Sequence, residues 1–423
     1  MKILWISNSP TVPSGYGSQS RQVGRRIARA GYGIEFVAND GTRGDREWEG
    51  LLVRGASGTD RYSRDSLREE LELSGADWVI SLYDAWIYTH GMRDPFEDMP
   101  RMASWLPVDH YPIPGALHQW LSNRHIAIAM SLYGYDMLSQ LRDSWMKAGE
   151  RPFEIRYAPH ALEDWARPVP TSFREIIDVP DDAFLVGIVA ANTDTLTYDR
   201  KGFGDMFMAM SAFMGRHSDV HLYLHSQEKG YNAMDLPSLL EQTKVPSERI
   251  AWADQYAMKK ISITDDHMAQ IYSSFDLLLS TSRGEGFGLP TLEAQACGVP
   301  VIASNWTAQA EIVRGTAFSP GGLHSSEHPN GWLVSCDPDY DPRQGAFYGK
   351  PIIGEIIGSL ERAYTEWKAG RWQEKRDAAL ERASNYRADE VFDTYWKPIL
   401  EEMADTSPVP LNRESRRALA RAK

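Results

Sequence analysis

Two glutamates, Glu285 and Glu293, are separated by seven residues and could act together as hydrogen-bond acceptors. The segment between them begins with Gly286-Phe287-Gly288, so its backbone can bend sharply and approach a ligand closely. One apolar run, 275–280, precedes the pair, and another, 298–303, follows it. This order predicts a buried strand, a glycine loop, a helix and a second strand.

The physical properties of this unit favour a phosphorylated ligand that also carries hydroxyl groups. A helix that begins near Leu289 points its unpaired N–H groups and its positive dipole end at the loop, where they attract an anion. Carboxylates instead accept hydrogen bonds from hydroxyls, such as those of a ribose or a sugar ring. An anion site flanked by Glu285 and Glu293 therefore predicts a nucleotide sugar. The alternative is a surface loop whose two glutamates are merely solvated.

The residues around this loop resemble the glutamate–seven–glutamate motif of the GT-B glycosyltransferases, in particular the retaining family 4. The resemblance extends upstream through residues 269–276 and downstream through residues 293–302. It implies that Glu293 holds the ribose and that Glu285 holds hydroxyls of the transferred sugar beside the reacting carbon. Cationic side chains and helix ends would neutralise the leaving group, so neither a metal nor another cofactor is expected.

The N-terminal half begins with a predicted strand, 2–7, followed by a loop punctuated by proline and glycine and by a helix from about residue 18 to residue 30. Residues 14–17 of the loop are similar to the N-terminal glycine loop of GT-B enzymes. The resemblance places Gly15 across the cleft from the donor. The alternative is a tight turn with no ligand.

Polar residues follow two later strands of the N-terminal half. The strand 102–107 runs into Asp109 and His110, and open α/β sheets bind ligands at the carboxyl ends of their strands. In the family, a histidine or aspartate near this strand end often faces the transferred sugar. The alternative for His110 is that it caps a turn. Asp84 and Trp86 follow the preceding strand and are candidates for acceptor binding.

A second alternation of strands and helices starts at residues 184–192. The loop that follows carries Arg200 and Lys201, two cations that could neutralise a diphosphate. Lys201 resembles the family's diphosphate-binding position, whereas the family often has its arginine several residues earlier than Arg200. The alternative is a solvated charge pair. Asn192, at the strand end, and Trp252, in a predicted base pocket, complete the donor site.

The order of elements predicts an α/β protein with two Rossmann-like parallel sheets, and the resemblance implies the GT-B arrangement, in which the two sheets face a central cleft. Residues 1–165 would form an acceptor domain and residues 183–387 a nucleotide-sugar donor domain. A helix at about 388–405 is expected to return to the N-terminal domain, as in GT-B enzymes. Residues 406–423 are expected to be a mobile basic tail.

Composition limits the partners of this 423-residue chain. A net charge of −13 disfavours nucleic acid and anionic membranes without excluding weak peripheral contact. Arg21, Arg25 and Arg29 are predicted to form a solvated helix face, and contact with an anionic acceptor or a membrane surface is the alternative. The chain has no secretion-signal pattern and no long apolar run, which predicts a cytoplasmic enzyme without a transmembrane segment.

Together with these patterns, the resemblance implies a retaining glycosyltransferase that uses a nucleotide-diphosphate sugar. The acceptor is an unidentified hydroxyl of a glycan, lipid, protein or modified nucleic-acid base. The predicted catalytic residues are Glu285, His110 and Asp109, and the predicted donor contacts are Arg200, Lys201, Gly286, Phe287, Gly288, Leu289, Glu293, Gly15, Asn192 and Trp252. The alternatives are a GT-B sugar-nucleotide epimerase, a phosphorylase, and a protein that binds a nucleotide sugar without turnover.

Overall fold

The computed structural model describes residues 1–406, except 56–59, 61, 63, 90–100, 123–125, 151, 194, 231, 262, 317–324 and the side chains of 260 and 261. The predicted basic tail lies outside the described residues apart from Thr406. The described part of the chain forms two large, mainly parallel sheets, each packed against helices. The predicted α/β class with two parallel sheets is therefore confirmed.

The first sheet is built from the N-terminal half of the chain. Its strands are Lys2–Ser7 (β1), Gly33–Ala38 (β2), Arg46–Trp48 (β3), Leu51–Arg54 (β4), Trp78–Leu82 (β5), Met102–Leu106 (β6), Ile126–Ala129 (β7) and Glu154–Tyr157 (β8). They lie in the order β3-β4-β2-β1-β5-β6-β7-β8, and each neighbouring pair is parallel except β3 with β4. The side chains of β1 are buried alternately on the two faces of the sheet, which explains its continuous apolar sequence.

The second sheet is built from the C-terminal half. Its strands are Phe184–Val189 (β9), Val220–His225 (β10), Ile250–Trp252 (β11), Leu277–Ser280 (β12), Val301–Ser304 (β13), Ser326–His328 (β14) and Gly331–Val334 (β15). The order is β11-β10-β9-β12-β13-β15-β14, with only β14 antiparallel to its neighbour among the described strands. A separate hairpin follows, Cys336–Asp341 (β16) and Ala346–Pro351 (β17).

The helices alternate with the strands in both halves. They are Gly15–Arg29 (α1), Leu67–Ser74 (α2), Trp86–Thr89 (α3), Gly115–Leu121 (α4), Leu132–Ala148 (α5), Phe173–Ile176 (α6), Phe203–Met214 (α7), Leu236–Thr243 (α8), Asp265–Ser273 (α9), Leu289–Ala296 (α10), Thr307–Arg314 (α11), Ile353–Lys368 (α12), Trp372–Ser384 (α13), Ala388–Val391 (α14) and Lys397–Asp405 (α15). None of the helices in the described residues is both long enough and apolar enough to pass through a lipid bilayer.

The first helix, α1, starts earlier than the sequence pattern predicts. Ser14 is extended and its hydroxyl accepts a hydrogen bond from the backbone N–H of Gly17 at 3.1 Å, so the helix begins at Gly15 rather than Ser18. A serine N-cap of this kind satisfies a backbone donor that the helix itself leaves unpaired. The predicted start was wrong because the glycines after Ser14 were taken for loop.

The arginines of α1 take part in ion pairs. Arg21 lies 3.3 Å from Asp265 on α9, and the Arg25 Nε donates to Glu49 at 2.8 Å. Both arginine side chains are partly buried, so the prediction of a solvated face is wrong for them, whereas Arg29 is exposed as predicted. The ion pair of Arg21 also connects the two halves of the chain.

The C-terminal segment packs on the first sheet, so the predicted return of a helix at about 388–405 to the N-terminal domain is confirmed. Between α14 and α15 the chain forms a single wide helical turn, Phe392–Trp396. The Trp396 ring packs against Trp5 and Trp105, with ring centroids 5.8 and 4.8 Å away. The indole of Trp78 donates to the carbonyl of Met403 at 3.0 Å. The last helical segment is therefore part of the core of the N-terminal half.

The hairpin β16–β17 was not predicted, and it bridges the two halves of the molecule. The backbone N–H of Tyr111 donates to the Phe347 carbonyl at 3.1 Å, and the N–H of Phe347 donates to the Tyr111 carbonyl at 2.8 Å. The Tyr348 ring lies 4.0 Å from the ring of His110. One wall of the cleft is therefore made by a strand pair that lies outside both large sheets.

Candidate active site

The glycine loop lies in the cleft and touches the edge of the first sheet. A Cβ atom on Gly286 would lie 2.5 Å from Pro107 Cβ, and one on Gly284 would lie 2.4 Å from the Asp109 carbonyl. A side chain at either position would require the loop or one of the domains to move. Gly288 caps α10 with a φ of 105°, a conformation that glycine adopts easily, and the helix begins at Leu289 as predicted.

Glu285 and Lys201 form a short ion pair in the cleft. The Lys201 Nζ lies 2.6 Å from Oε1 of Glu285, and one Arg200 nitrogen lies 3.5 Å from Oε2. Burial acts to raise the pKa of Glu285, but the charges of Lys201 and Arg200 outweigh it and lower the pKa. Burial, followed by repulsion from Arg200, lowers the pKa of Lys201. Glu285 is therefore ionised at neutral pH and lies beside two cations.

Lys201 and Arg200 are positioned by the turn before α7. Gly202 caps this helix with a φ of 71°, and a Cβ there would lie 2.7 Å from the Thr281 carbonyl. Arg200 donates to the Gly284 carbonyl at 2.9 Å. The predicted cation pair and the glycine loop are thus in direct contact.

Asp109 and His110 lie on the opposite side of this cluster. Asp109 Oδ1 is 2.6 Å from His110 Nδ1, and its other oxygen is 4.0 Å from Arg200. Burial acts to raise the pKa of Asp109, yet His110 and Arg200 lower it. The Nε2 atom of His110 is buried and has no hydrogen-bond partner among the described residues. Asp109 and His110 of the first domain therefore form one charged cluster, as predicted site residues, with Arg200, Lys201 and Glu285 of the second domain.

Glu293 lies in α10 and contacts α9. Its Oε2 accepts a hydrogen bond from the hydroxyl of Tyr272 at 2.7 Å. Burial raises the pKa of Glu293 to about 7, and the charge of Asp265 acts in the same direction. Gly15 faces the same helix across the cleft, because a Cβ on Gly15 would lie 3.3 Å from Leu289 Cδ1. The two glycine loops thus meet at the start of α10.

Three predicted donor residues use their side chains for packing or loop structure. The Phe287 ring is buried against His160 and Tyr386, with ring centroids 5.1 and 5.8 Å away. The Asn192 amide donates to two loop carbonyls, those of Gln227 and Met234, at 2.9 Å each. Trp252 is partly buried against the hydrophobic cluster of the second sheet. Their donor contacts remain predictions.

Two further acidic side chains have contacts that the sequence did not predict. Asp84 lies close to the charged cluster, and Glu311 connects the two domains. Asp84 lies 3.4 Å from the Tyr16 hydroxyl, and burial together with the charge of Asp109 raises its pKa to about 6. Glu311 on α11 accepts hydrogen bonds from the N–H groups of Leu132 and Tyr133, both at 3.0 Å. Because those groups begin α5, one carboxylate of the second domain caps a helix of the first.

Known families and proteins resemble parts of this chain. Residues 193–338 match the family described as Glycosyl transferases group 1. The chain is 26% identical over 147 residues to the serotype-specific mannosyltransferase WbdA of Escherichia coli. The aligned stretch is 34% of this chain and 17% of that protein. It is 35% identical over 114 residues to the D-inositol 3-phosphate glycosyltransferase of Paenarthrobacter aurescens (strain TC1). That stretch is 27% of this chain and 25% of the other protein. The matches thus span a quarter or less of these curated relatives.

Solved structures share the fold over nearly the whole chain. Sucrose-phosphate synthase (tll1590) from Thermosynechococcus elongatus has a TM-score of 0.70 at 16% identity and covers 96% of this chain and 100% of its own. A structure described as trehalose-6-phosphate from E. coli bound with UDP-2-fluoro glucose has a TM-score of 0.63 at 13% identity, with coverages of 96% and 100%. The predicted resemblance is therefore confirmed: the chain has the GT-B fold, and its residues 193–338 match the group 1 glycosyl transferases.

Proposed function

We propose that this protein is a retaining glycosyltransferase that moves a sugar from a nucleotide-diphosphate sugar to a hydroxyl group of an acceptor. The contact of 2.6 Å between Lys201 and Glu285, beside the glycine loop and the start of α10, is the observation that carries the proposal. The match to the group 1 family and the names of the relatives support this class of enzyme.

The diphosphate would leave toward the start of α10. Lys201 and Arg200 supply positive charge beside Glu285, and the positive dipole end of α10 begins in the same glycine loop. Preorganised charges of this kind stabilise the negative charge that develops on a leaving group. Among the described residues, no group of three or more His, Cys, Asp or Glu side chains could hold a metal ion. Transfer without a metal is part of the proposal.

The sugar would lie between Glu285 and the pair Asp109–His110. Glu285 is ionised, so it accepts hydrogen bonds from sugar hydroxyls and stabilises positive charge at the reacting carbon. Asp109 holds Nδ1 of His110, which leaves Nε2 for a hydroxyl of the sugar. Glu293 would bind the ribose with the oxygen that Tyr272 does not occupy. A cytoplasmic location also remains a prediction.

The test separates nucleotide binding from transfer. Nucleotide diphosphates are expected to raise the melting temperature of the wild-type protein, and Glu285→Ala is expected to retain this shift while transfer is lost. Glu374→Ala changes an exposed glutamate of α13 and serves as the matched control. Unchanged turnover in Glu285→Ala would remove this residue from the mechanism. Conversion of the nucleotide sugar with no acceptor present would indicate an epimerase instead.

A further inference from the structure

Arg283 lies two residues before Glu285 in the glycine loop, and its side chain is only 13% exposed. Its guanidinium donates to Asp205 through Nε at 3.1 Å and through Nη2 at 2.7 Å. The third nitrogen, Nη1, donates to Asp339 at 3.2 Å. Each nitrogen of the guanidinium is thus bound to a carboxylate of the chain itself. Arg283 therefore connects two segments of the second domain.

The two carboxylates belong to different elements. Asp205 lies in the first turn of α7, directly after the turn that carries Arg200 and Lys201, and it is fully buried. Asp339 lies on β16 of the hairpin, and its side chain is partly exposed. Burial acts to raise the pKa of Asp205, and the charge of Arg283 opposes this effect. The guanidinium thus joins the start of α7 to the hairpin.

The backbone of Arg283 makes the same connection. Its N–H donates to the Arg200 carbonyl at 2.8 Å, and its carbonyl accepts from the N–H of Gly349 on β17 at 2.7 Å. The side chain of Arg200 in turn donates to the Gly284 carbonyl at 2.9 Å. The turn that carries the two cations of the site is therefore fixed to the glycine loop by backbone and side-chain hydrogen bonds.

Tyr198 fixes the other end of that turn. Its hydroxyl donates to Asp339 at 2.7 Å, and its ring is stacked on Tyr348 of the hairpin, with centroids 5.0 Å apart. The guanidinium of Arg283 lies over the same ring, 5.3 Å from its centroid. Contacts with Arg283 or with its partner Asp339 thus hold the turn on both sides of the two cations.

We propose that Arg283 is a positioning residue for the diphosphate site, because it holds Arg200 and Lys201 in place through Asp205 and Asp339. Charges that are fixed before the reaction stabilise a leaving group better than charges that must first be ordered. The hairpin therefore contributes to diphosphate binding through Asp339. The inference rests on the proposed function, since it names a residue that prepares the diphosphate site of the same enzyme.

The first experiment compares nucleoside diphosphates with monophosphates by isothermal titration calorimetry. ADP, GDP and UDP are titrated into the wild type, and the nucleotide that binds is then compared with its monophosphate. Arg283→Leu is expected to raise the Kd of the diphosphate at least about ten-fold and that of the monophosphate less than about three-fold, because the monophosphate lacks the outer phosphate. Equal increases, or no increase, would overturn the proposal. A wild type that binds none of the three diphosphates would instead contradict the proposed function.

A matched control separates this effect from the loss of a buried ion pair. Arg174 pairs with Asp276 at 2.7 Å, the same distance as between Arg283 and Asp205, and the side chains of Arg174 and Asp276 are 16% and 13% exposed. Asp276 directly precedes β12, so this pair lies at the edge of the sheet opposite the cleft. Arg174→Leu should therefore lose stability and keep both Kd values of the wild type.

A second variant tests the hairpin without leaving Asp205 unpaired. Asp339→Ala removes a partly exposed carboxylate, so the variant is expected to fold, and the ratio of the diphosphate Kd to the monophosphate Kd should rise at least about three-fold. Arg283→Lys keeps a charge beside Asp205, but its single nitrogen cannot bind both carboxylates, so its ratio should be intermediate. An unchanged ratio in Asp339→Ala would overturn the proposal even if Arg283→Leu did not fold.

Discussion

Thr307 has a strained backbone conformation, and its side chain holds the backbone of Glu285. Its hydroxyl accepts from the N–H of Glu285 at 3.2 Å and donates to the carbonyl of the same residue at 3.1 Å. Thr307 is fully buried and has a φ of 49°, which is rare for a β-branched residue and costs roughly 1–3 kcal/mol. The strain is therefore located beside the carboxylate that we place next to the reacting carbon.

Replacement of this hydroxyl is the residue-scale test of the arrangement. Thr307→Val keeps the shape of the side chain but removes both hydrogen bonds, so we expect a lower kcat and a loss of about 1–3 kcal/mol of stability. Thr307→Ser keeps the hydroxyl and should retain most of the activity. Transfer assays and denaturant unfolding of the two variants measure the effect. Equal kcat values in both would mean that the hydroxyl does not position Glu285.

His160 makes stability depend on pH. Its ring is buried between Trp105 and Phe287, and burial lowers its pKa to about 3. In the unfolded chain the imidazole of His160 has its ordinary pKa of about 6.5, so the unfolded state takes up a proton below that pH while the folded state does not. The free energy of unfolding is therefore unaffected above pH 6.5 and decreases as the pH falls toward 3. Between pH 6.5 and 5 the loss is about 2 kcal/mol.

The variant His160→Asn should lose less stability than the wild type over that interval. Denaturant unfolding at both pH values measures the difference. Burial also lowers the pKa of His225, to about 4, and this residue remains in the variant, so part of the pH dependence should remain. Identical slopes for the two proteins would show that His160 does not contribute.

At the scale of elements, the glycine loop and the hairpin β16–β17 hold the cleft in its present shape. The loop needs glycine because its backbone lies against Pro107 of the neighbouring domain. The hairpin adds two backbone hydrogen bonds across the cleft, between Tyr111 and Phe347. Neither contact belongs to a large sheet, so each can change without unfolding a domain.

Gly286→Ala tests the contact of the loop. The added Cβ would lie 2.5 Å from Pro107 Cβ and 2.9 Å from its Cα, so the domains must separate or the loop must move, at a cost of about 1–3 kcal/mol. Weaker binding of nucleotide diphosphates in thermal-shift titrations is the expected result. Gly354→Ala, where a Cβ would meet nothing within 4 Å, is the matched control and should bind normally. Normal binding by both variants would contradict this account of the loop.

At the scale of the whole molecule, a buried carboxylate joins the domains. Glu311 is fully buried and satisfies two N–H groups at the start of α5, those of Leu132 and Tyr133. Separation of the domains would expose these three polar groups to water together. The closed arrangement thus depends on a single side chain as well as on apolar packing of the returning helices.

Glu311→Ala should weaken this connection. Two backbone donors would lose their partner, which costs about 1–3 kcal/mol for each group that stays buried. We therefore expect a larger radius of gyration in small-angle scattering and a higher KM for the nucleotide sugar. Glu311→Gln keeps one acceptor oxygen and should be intermediate. A radius of gyration equal to that of the wild type in Glu311→Ala would show that the domains are held closed by other contacts.

The sequence by itself determined the elements and the short-range parts of the candidate site. Parallel strands buried on both faces have continuous apolar sequences, so the strand 2–7 was predicted with its observed limits. The start of α10 followed from Gly288, and Lys201 and Glu285 each follow a strand of the second sheet. Strand ends of one parallel sheet lie at one edge, which is the physical reason that these two residues come together.

Only the tertiary structure decided the contacts between residues far apart in the sequence. The ion pairs of Arg21 and Arg25 and the hydrogen bonds of Glu311 to the start of α5 join segments that no local periodicity relates. The hairpin was missed because its alternating polar residues, 336–341, resemble a loop until their partner strand is known. Hydrophobic periodicity reports which face of an element is buried, and it carries no information about which distant polar group will meet that face.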